Sequence, residues 1–158
     1  MEIREARPDD WLAVAALLAE LGRPDVLAGV DIEPHREEYE VYLERPDTVA
    51  LVAEDDGQIV GFVDMDYRER LNFSSPQAWI PDLIVTESAR SRGAGKALLA
   101  ACEERARTRG CFALSLESAN WRERAHAFYE REGMKHVSAS FAKLLQEGEW
   151  PPAPRSGG

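Results

Sequence analysis

The chain has 158 residues, of which 44% are apolar, and its 29 acidic against 19 basic side chains give a formal net charge of −10. That length suits one domain with a sizeable core, that composition excludes a wholly disordered chain, and no apolar run approaches the roughly 20 residues a membrane-spanning helix needs. The acidic balance excludes a general nucleic-acid binder, which needs a basic surface, and it is compatible with a cationic small substrate, because an acidic cleft concentrates cations.

The first predicted element is a short alternating strand, Ile3 to Ala6. Pro8 opens a helix, with Asp9 and Asp10 in the first turn, where the helix dipole favours carboxylates. Trp11, Val14, Ala15, Leu18 and Leu21 recur at helical spacing, and Gly22 followed by Pro24 ends the run. Arg23 to Glu33 reads as irregular. A second helix is predicted from about Pro34 to just before Pro46, with Tyr39, Tyr42 and Leu43 as a thin apolar face and the remaining faces mostly acidic. Two β-rich runs flanking Asp55-Asp56-Gly57 then predict a hairpin. Alternation along its second run sends Val63 and Met65 one way and Phe62, Asp64 and Asp66 the other.

Arg68 to Pro76 reads as a loop. Gln77 to Val85 is a predicted fourth strand in which Pro81 demands an irregularity or an unpaired site. The segment Arg90-Ser91-Arg92-Gly93-Ala94-Gly95-Lys96 leads into a long helix with Gly95, Leu98, Leu99, Cys102 and Ala106 on one face and Gly110 at its end. Phe112 to Ser118 predicts a fifth strand, Arg122 to Glu132 a short helix stopped by Gly133, and Met134 to Leu145 one or two last strands. The polar tail from Gln146 to Gly158, rich in proline and glycine, is expected to be mobile unless it docks on a partner subunit. Met1 to Leu145 thus reads as one domain without repeats or linkers. The fold class is α/β of the α+β type, with helices packed on a mixed, mostly antiparallel sheet.

The N-terminus carries charges where a signal peptide would carry its apolar stretch, so a soluble, cytoplasmic protein is expected. Cys102 and Cys111, nine positions apart without a CxxC, and the dispersed His35, His126 and His136 have no metal-ligand spacing, so no metal is expected.

The glycine-containing segment is the strongest chemical signal. A Walker A loop fails, because Arg90 stands at its first glycine and Ala97 at its magnesium-holding hydroxyl. A dinucleotide fingerprint fails at Leu98, which takes the third glycine position. What fits is a helix N-terminus whose free amides meet a phosphate, with Gly93 and Gly95 permitting close approach and Arg90, Arg92 and Lys96 adding charge. An ordinary glycine-containing helix start with solvated basic residues is the plainer alternative.

The stretch Asp82 to Gly110 resembles the central acetyl-CoA-binding motif of the GCN5-related N-acetyltransferase superfamily, an R/Q-x-x-G-x-G/A loop between an L-x-V strand and a long helix. Leu83 and Val85 supply the strand and Arg90 to Gly95 the loop. Farther on, "AHAFYEREGM" (Ala125 to Met134) resembles the superfamily's second motif, A-x-x-F/L-Y-x-x-x-G-F. Arg122 stands where many members carry Asn, with Asn120 two residues earlier, and Met134 replaces the usual Phe.

The element order over Met1 to Leu145 matches as well. The resemblance implies an acyl-CoA N-acyltransferase fold with a sheet of six to seven strands, about four flanking helices, and an opening between the fourth and fifth strands. It implies acetyl-CoA as co-substrate. Pyrophosphate would sit on Arg90, Ser91, Arg92, Gly93, Ala94, Gly95 and Lys96, and the pantetheine arm along Leu83, Ile84 and Val85. Asn120, Arg122 and Phe128 are further contact candidates from the second motif. An oxyanion donor is implied at the backbone of Leu83 or Ile84, and an acid at Tyr129, whose phenol is protonated at neutral pH.

For the general base three readings stay open: Asp82, Glu117 acting through water, or loss of the proton to bulk water. His126 reads as a packing or rim residue. The acceptor site is expected above the strands under the first two helices, a region holding Asp31, Glu33, Glu37, Glu38, Asp64 and Asp66. Carboxylates there suit a cationic acceptor: a polyamine, an aminoglycoside or a lysine side chain. A coenzyme-binding module without catalysis is the competing class. Members of the superfamily are often dimers, and the last strands and tail are the expected contact.

Overall fold

The computed structural model describes residues 1–148. Residues 149–158, most of the segment expected to form a mobile tail, lie outside the described residues. The described chain divides into two compact units, Met1–Leu116 and the residues from Glu117 onward.

The first unit is a six-stranded sheet between helices. Strand β1 (Glu2–Glu5) is followed by a 3-10 turn at Pro8–Asp10, helix α1 (Trp11–Leu21), a second 3-10 turn at Val26–Ala28 and helix α2 (Glu33–Leu43). The hairpin β2 (Thr48–Asp55) and β3 (Gln58–Arg68) comes next, then β4 (Gln77–Ile80), β5 (Leu83–Val85), helix α3 (Ala94–Thr108) and β6 (Ala113–Leu116). The sheet order is β1-β2-β3-β4-β6, with β5 paired to β3 alone. Every pairing is antiparallel except β4 with β6. This is the mixed, mostly antiparallel sheet flanked by helices that the sequence implies, and the predicted order of elements holds through β6.

Gly22, at φ 102°, ends α1 in the left-handed conformation that glycine adopts without strain. The β2–β3 turn uses Asp56 and Gly57, both at positive φ, as a tight hairpin requires. On one face of the sheet Phe62 and Ile84 join Trp11, Val14, Leu17, Leu21 and Tyr39 in a buried cluster supplied by α1 and α2. On the other face α3 buries Ala94, Leu98, Leu99, Cys102 and Ala106. Gly61 lets α3 come close: a Cβ there would lie 3.0 Å from Leu98 Cδ1 and 3.3 Å from the Ile84 carbonyl oxygen.

The predicted fourth strand is two strands. Asp66 pairs with Trp79 in β4, whereas Val63 pairs with Leu83 in β5. Two residues of β3 therefore face three of the partner, Ile80, Pro81 and Asp82. This extra residue is a bulge at the proline, which cannot donate to a ladder.

The second unit contains helix α4 (Glu123–Arg131). No strand forms from Glu117 to Gly148, so the last strands expected over Met134 to Leu145 are absent there. The fifth strand also stops at Leu116, which leaves Glu117 and Ser118 outside it.

Candidate active site

The bulge organises the centre of the first unit. The Asp64 amide donates to the Asp82 carbonyl (3.1 Å), and the Thr86 amide donates to the Val60 carbonyl (2.8 Å). Alternation in an antiparallel ladder then turns the Ile84 amide toward β3 and the Leu83 and Val85 amides away from it. β6 ends at Leu116 opposite Ile80, so these outward groups line a gap in the sheet rather than a further ladder. The Val85 carbonyl accepts Arg90 Nε at 3.3 Å. Of the two oxyanion donors implied by the sequence, Leu83 presents its N–H to the gap and Ile84 does not.

Past β5, Ser91 and Gly93 both adopt positive φ, 77° and 84°. Gly93 caps α3 with no side-chain acceptor for its first amides, and the loop residues from Arg90 to Gly93 are exposed. The result is an uncapped helix N-terminus whose donors are available to an anion. Lys96 is exposed in the first turn, while Arg92 is engaged with Asp55 at 2.9 Å. Ala94 is buried in the packing against the sheet, so it contributes backbone rather than a side chain.

A carboxyl cluster lies on the sheet face covered by α1 and α2. Asp64 and Asp82 stand opposite each other across the bulge. Asp64 Oδ1 accepts the Asp82 amide at 2.8 Å. Burial, followed by the neighbouring Asp82 charge, pushes the Asp64 carboxyl up to about 8. Asp82 accepts Arg23 Nε at 2.6 Å, and the same guanidinium donates to the Pro81 carbonyl at 3.2 Å. Asp66 accepts the Tyr42 hydroxyl at 3.1 Å. Burial, with the charges of Asp64 and Asp66, raises the Tyr42 phenol far above its ordinary range, so it is a donor at every physiological pH.

The structure thus joins Asp64, Asp66 and Asp82 and adds two residues that sequence reasoning missed, Arg23 and Tyr42. Tyr42 was visible only as a member of an apolar stripe, and Arg23 lies in a stretch without periodicity. The other acidic candidates are not gathered in. Asp31 accepts the Glu33 amide at 3.2 Å, Glu33 pairs with Arg36 at 2.9 Å, and Glu37 and Glu38 are exposed on α2. Those last two border a shallow depression of about 400 Å³ with Pro34, Val41 and Arg45.

In the second unit, Tyr129 is half-buried in α4 with its ring 5.3 Å from that of Phe128. Burial holds its phenol above the ordinary value, against a smaller downward pull from Arg122. Arg122 lies over the Trp121 ring at 4.6 Å, and Asn120 is exposed in the preceding turn. His126 is half-buried on α4. Glu117 is exposed and accepts the Ser140 hydroxyl at 3.3 Å. Both cysteines are free thiols, and burial pushes that of Cys102 up to about 12. Among the described residues no group of three or more His, Cys, Asp or Glu side chains could hold a metal ion, and no helix is long and apolar enough to cross a membrane.

Comparison with known proteins agrees with this geometry. Residues 13–134 match the model of the acetyltransferase (GNAT) family. The chain is 31% identical to the aminoalkylphosphonate N-acetyltransferase of Salmonella typhimurium, with 91% of each chain covered. It is also 31% identical to the uncharacterized N-acetyltransferase YhfO of Bacillus subtilis, over 84% of this chain and 89% of the relative. Among solved structures, a putative acetyltransferase from Agrobacterium tumefaciens superposes with a TM-score of 0.82 at 22% identity, covering 92% of this chain and all of the other. An aminoglycoside N-acetyltransferase in complex with CoA shares the fold at a TM-score of 0.74 and 20% identity, with 92% of this chain and 99% of that one covered. The split fourth strand, the uncapped glycine loop and the family match together establish that this chain belongs to the GNAT family and is an N-acetyltransferase.

Proposed function

We propose that the protein transfers an acetyl group from acetyl-CoA to the primary amine of a small cationic acceptor by direct attack. The observation that carries this reading is the Asp64–Asp82 carboxyl pair, set at the strand break on the α1/α2 face beside the outward amide of Leu83. Pyrophosphate binds the amides and charges of Arg90 to Lys96, and pantetheine pairs with the outward backbone of Leu83 and Val85. The Leu83 N–H donates to the thioester oxygen as negative charge develops on it. Tyr129 gives a hydrogen bond or a proton to the departing thiolate. Asn120, Arg122 and Phe128 are further coenzyme contacts proposed from the second motif.

Asp82 is already committed to Arg23, and Glu117 is exposed and engaged with Ser140, so neither of the two carboxylates first considered as base is well disposed. A second reading is an amino acid-like acceptor with an anionic tail. The name of the Salmonella relative supports it, as does Arg23, a guanidinium at the carboxyl pair.

The test is calorimetric titration of acetyl-CoA followed by thiol-release assays on polyamines, aminoglycosides, aminoalkylphosphonates, amino acids and lysine peptides. Tight coenzyme binding with turnover on one class is expected, and Tyr129→Phe should lower kcat by about a hundredfold with coenzyme affinity retained. Binding without turnover on any amine would favour a coenzyme-sensing module. No binding would reduce Arg90 to Lys96 to a helix start.

A further inference from the structure

We propose that Asp64 is the proton acceptor for the acceptor amine, held in place by the Asp82–Arg23 pair. This rests on the amine acetyltransfer reading above. Three features of the geometry carry it. Asp64 is fixed by the bulge: its Oδ1 takes the amide of Asp82, the residue directly before the outward Leu83 N–H. It shares the α1/α2 face with Phe62 and Ile84, so its carboxyl lies under those helices, next to the residue that precedes the outward Leu83 amide. Its carboxylate neighbours are occupied, Asp82 by Arg23 and Asp66 by Tyr42.

Burial and the neighbouring Asp82 charge both favour the neutral form of Asp64, while Arg23 lies against Asp82, so the resting proton sits on Asp64. An incoming ammonium brings the positive charge that lets Asp64 ionise, its proton passing to solvent. The ammonium then gives one proton to the Asp64 carboxylate and becomes a neutral amine. The amine nitrogen bonds to the thioester carbon, the carbon–sulfur bond breaks, and the second nitrogen proton ends on the thiolate. Asp64 is left protonated, as in the resting state. The groups facing Asp64 are Asp82 at the bulge, Asp66 on β3 and Tyr42 on α2. Arg23 after α1 acts through Asp82, and the Cys102 thiol on α3 senses Asp64 through the sheet.

The decisive experiment is the pH profile of kcat/KM for the full chain with two acceptors whose amine pKa values differ. The profile should have a rising limb with its midpoint near 8 for both acceptors, and a falling limb only above each acceptor's own pKa, because the ammonium is the form that binds. Asp64→Asn should lose the rising limb and fall by at least about a hundredfold at pH 8, with acetyl-CoA affinity within about twofold of the parent. Asp82→Asn removes the neighbouring charge and should move the limb to lower pH. That shift decides the matter if Asp64→Asn does not fold.

A rising limb that follows the acceptor's own pKa, or that survives in Asp64→Asn with kcat/KM within about threefold of the parent, overturns the assignment. An Asp82→Asn limb that stays in place does so as well. Absence of acetyl-CoA-dependent thiol release by the parent at every pH overturns the acetyltransfer reading itself, which is a different result.

Discussion

Two aspartates show how the same side chain serves opposite ends. Asp10 is buried and clamped by both guanidinium nitrogens of Arg4, at 2.8 and 2.9 Å, and it also accepts the Arg7 amide at 2.7 Å. The Arg4 hydrogen bond holds its carboxyl below the ordinary value, against the opposing effect of burial. Its contribution to stability is therefore present above its unfolded value of 3.8 and is lost as pH falls through the lower folded value. Asp10→Ala should cost about 2 kcal/mol at pH 7, because it removes two charge-assisted hydrogen bonds from a largely buried guanidinium that keeps only Glu54 and the Glu5 carbonyl. Urea unfolding at pH 7 and below pH 4 would show the difference shrinking with acid. Asp64 is the reverse case. Its folded value lies above its unfolded one, so the stability it confers is complete below the unfolded value and declines as pH rises toward and through about 8. Asp64→Asn should therefore melt higher than the parent above pH 8 while losing activity, and paired melting curves at pH 6 and pH 9 test that. The sequence made the shared face of Asp64 and Asp66 legible through simple alternation. It could not reveal that Asp82 stands opposite Asp64, because that is a matter of cross-strand register.

At the scale of elements, the loop–helix unit and the interrupted fourth strand were the most legible features. Glycine spacing and a proline inside a strand each have one local physical meaning. The close seat of α3 on β3 was not legible, since it depends on Gly61 lacking a side chain. Gly61→Ala would press a methyl group against Leu98 and the Ile84 carbonyl. It should destabilise the chain by about 1 kcal/mol or more through strain between α3, β3 and β5, read as a lower urea midpoint with unchanged slope. The strands expected after Gly133 failed for a complementary reason. Val137, Ala139 and Phe141 alternate as a strand would, but alternation supplies only a face and not a pairing partner, and Val137 and Phe141 are exposed at 85% and 94%. Glu117 was misplaced for the same reason: the run of β-forming residues continued past the point where β4 stops providing a ladder at Ile80.

For the whole molecule, the charge of −10 sets a field around a site whose proposed acceptor is cationic and whose coenzyme is anionic. Salt should therefore act on the two substrates unequally. Raising ionic strength from about 0.05 to 0.5 M should increase KM for a polycationic amine severalfold and should leave KM for acetyl-CoA nearly constant or lower it. Steady-state kinetics with each substrate varied in turn would measure this. The single residue added at Pro81 also reaches beyond its own strand. Ala78 and Ile80 are buried on the side of the sheet that faces α3, and an uninterrupted strand would carry Asp82 to that same side. The insertion acts as a spatial frame shift: it hands every later residue of the strand to the opposite side, so that Asp82 meets Asp64 and Ile84 meets Phe62. Removing Pro81 alone would take out the extra residue and let Asp82 follow Ile80 directly, still opposite Asp64, in a regular ladder without the bulge. Keeping every residue but straightening the strand is what would exchange its two faces, sending a carboxylate into the packing beneath α3 and leaving Asp64 without its counterpart.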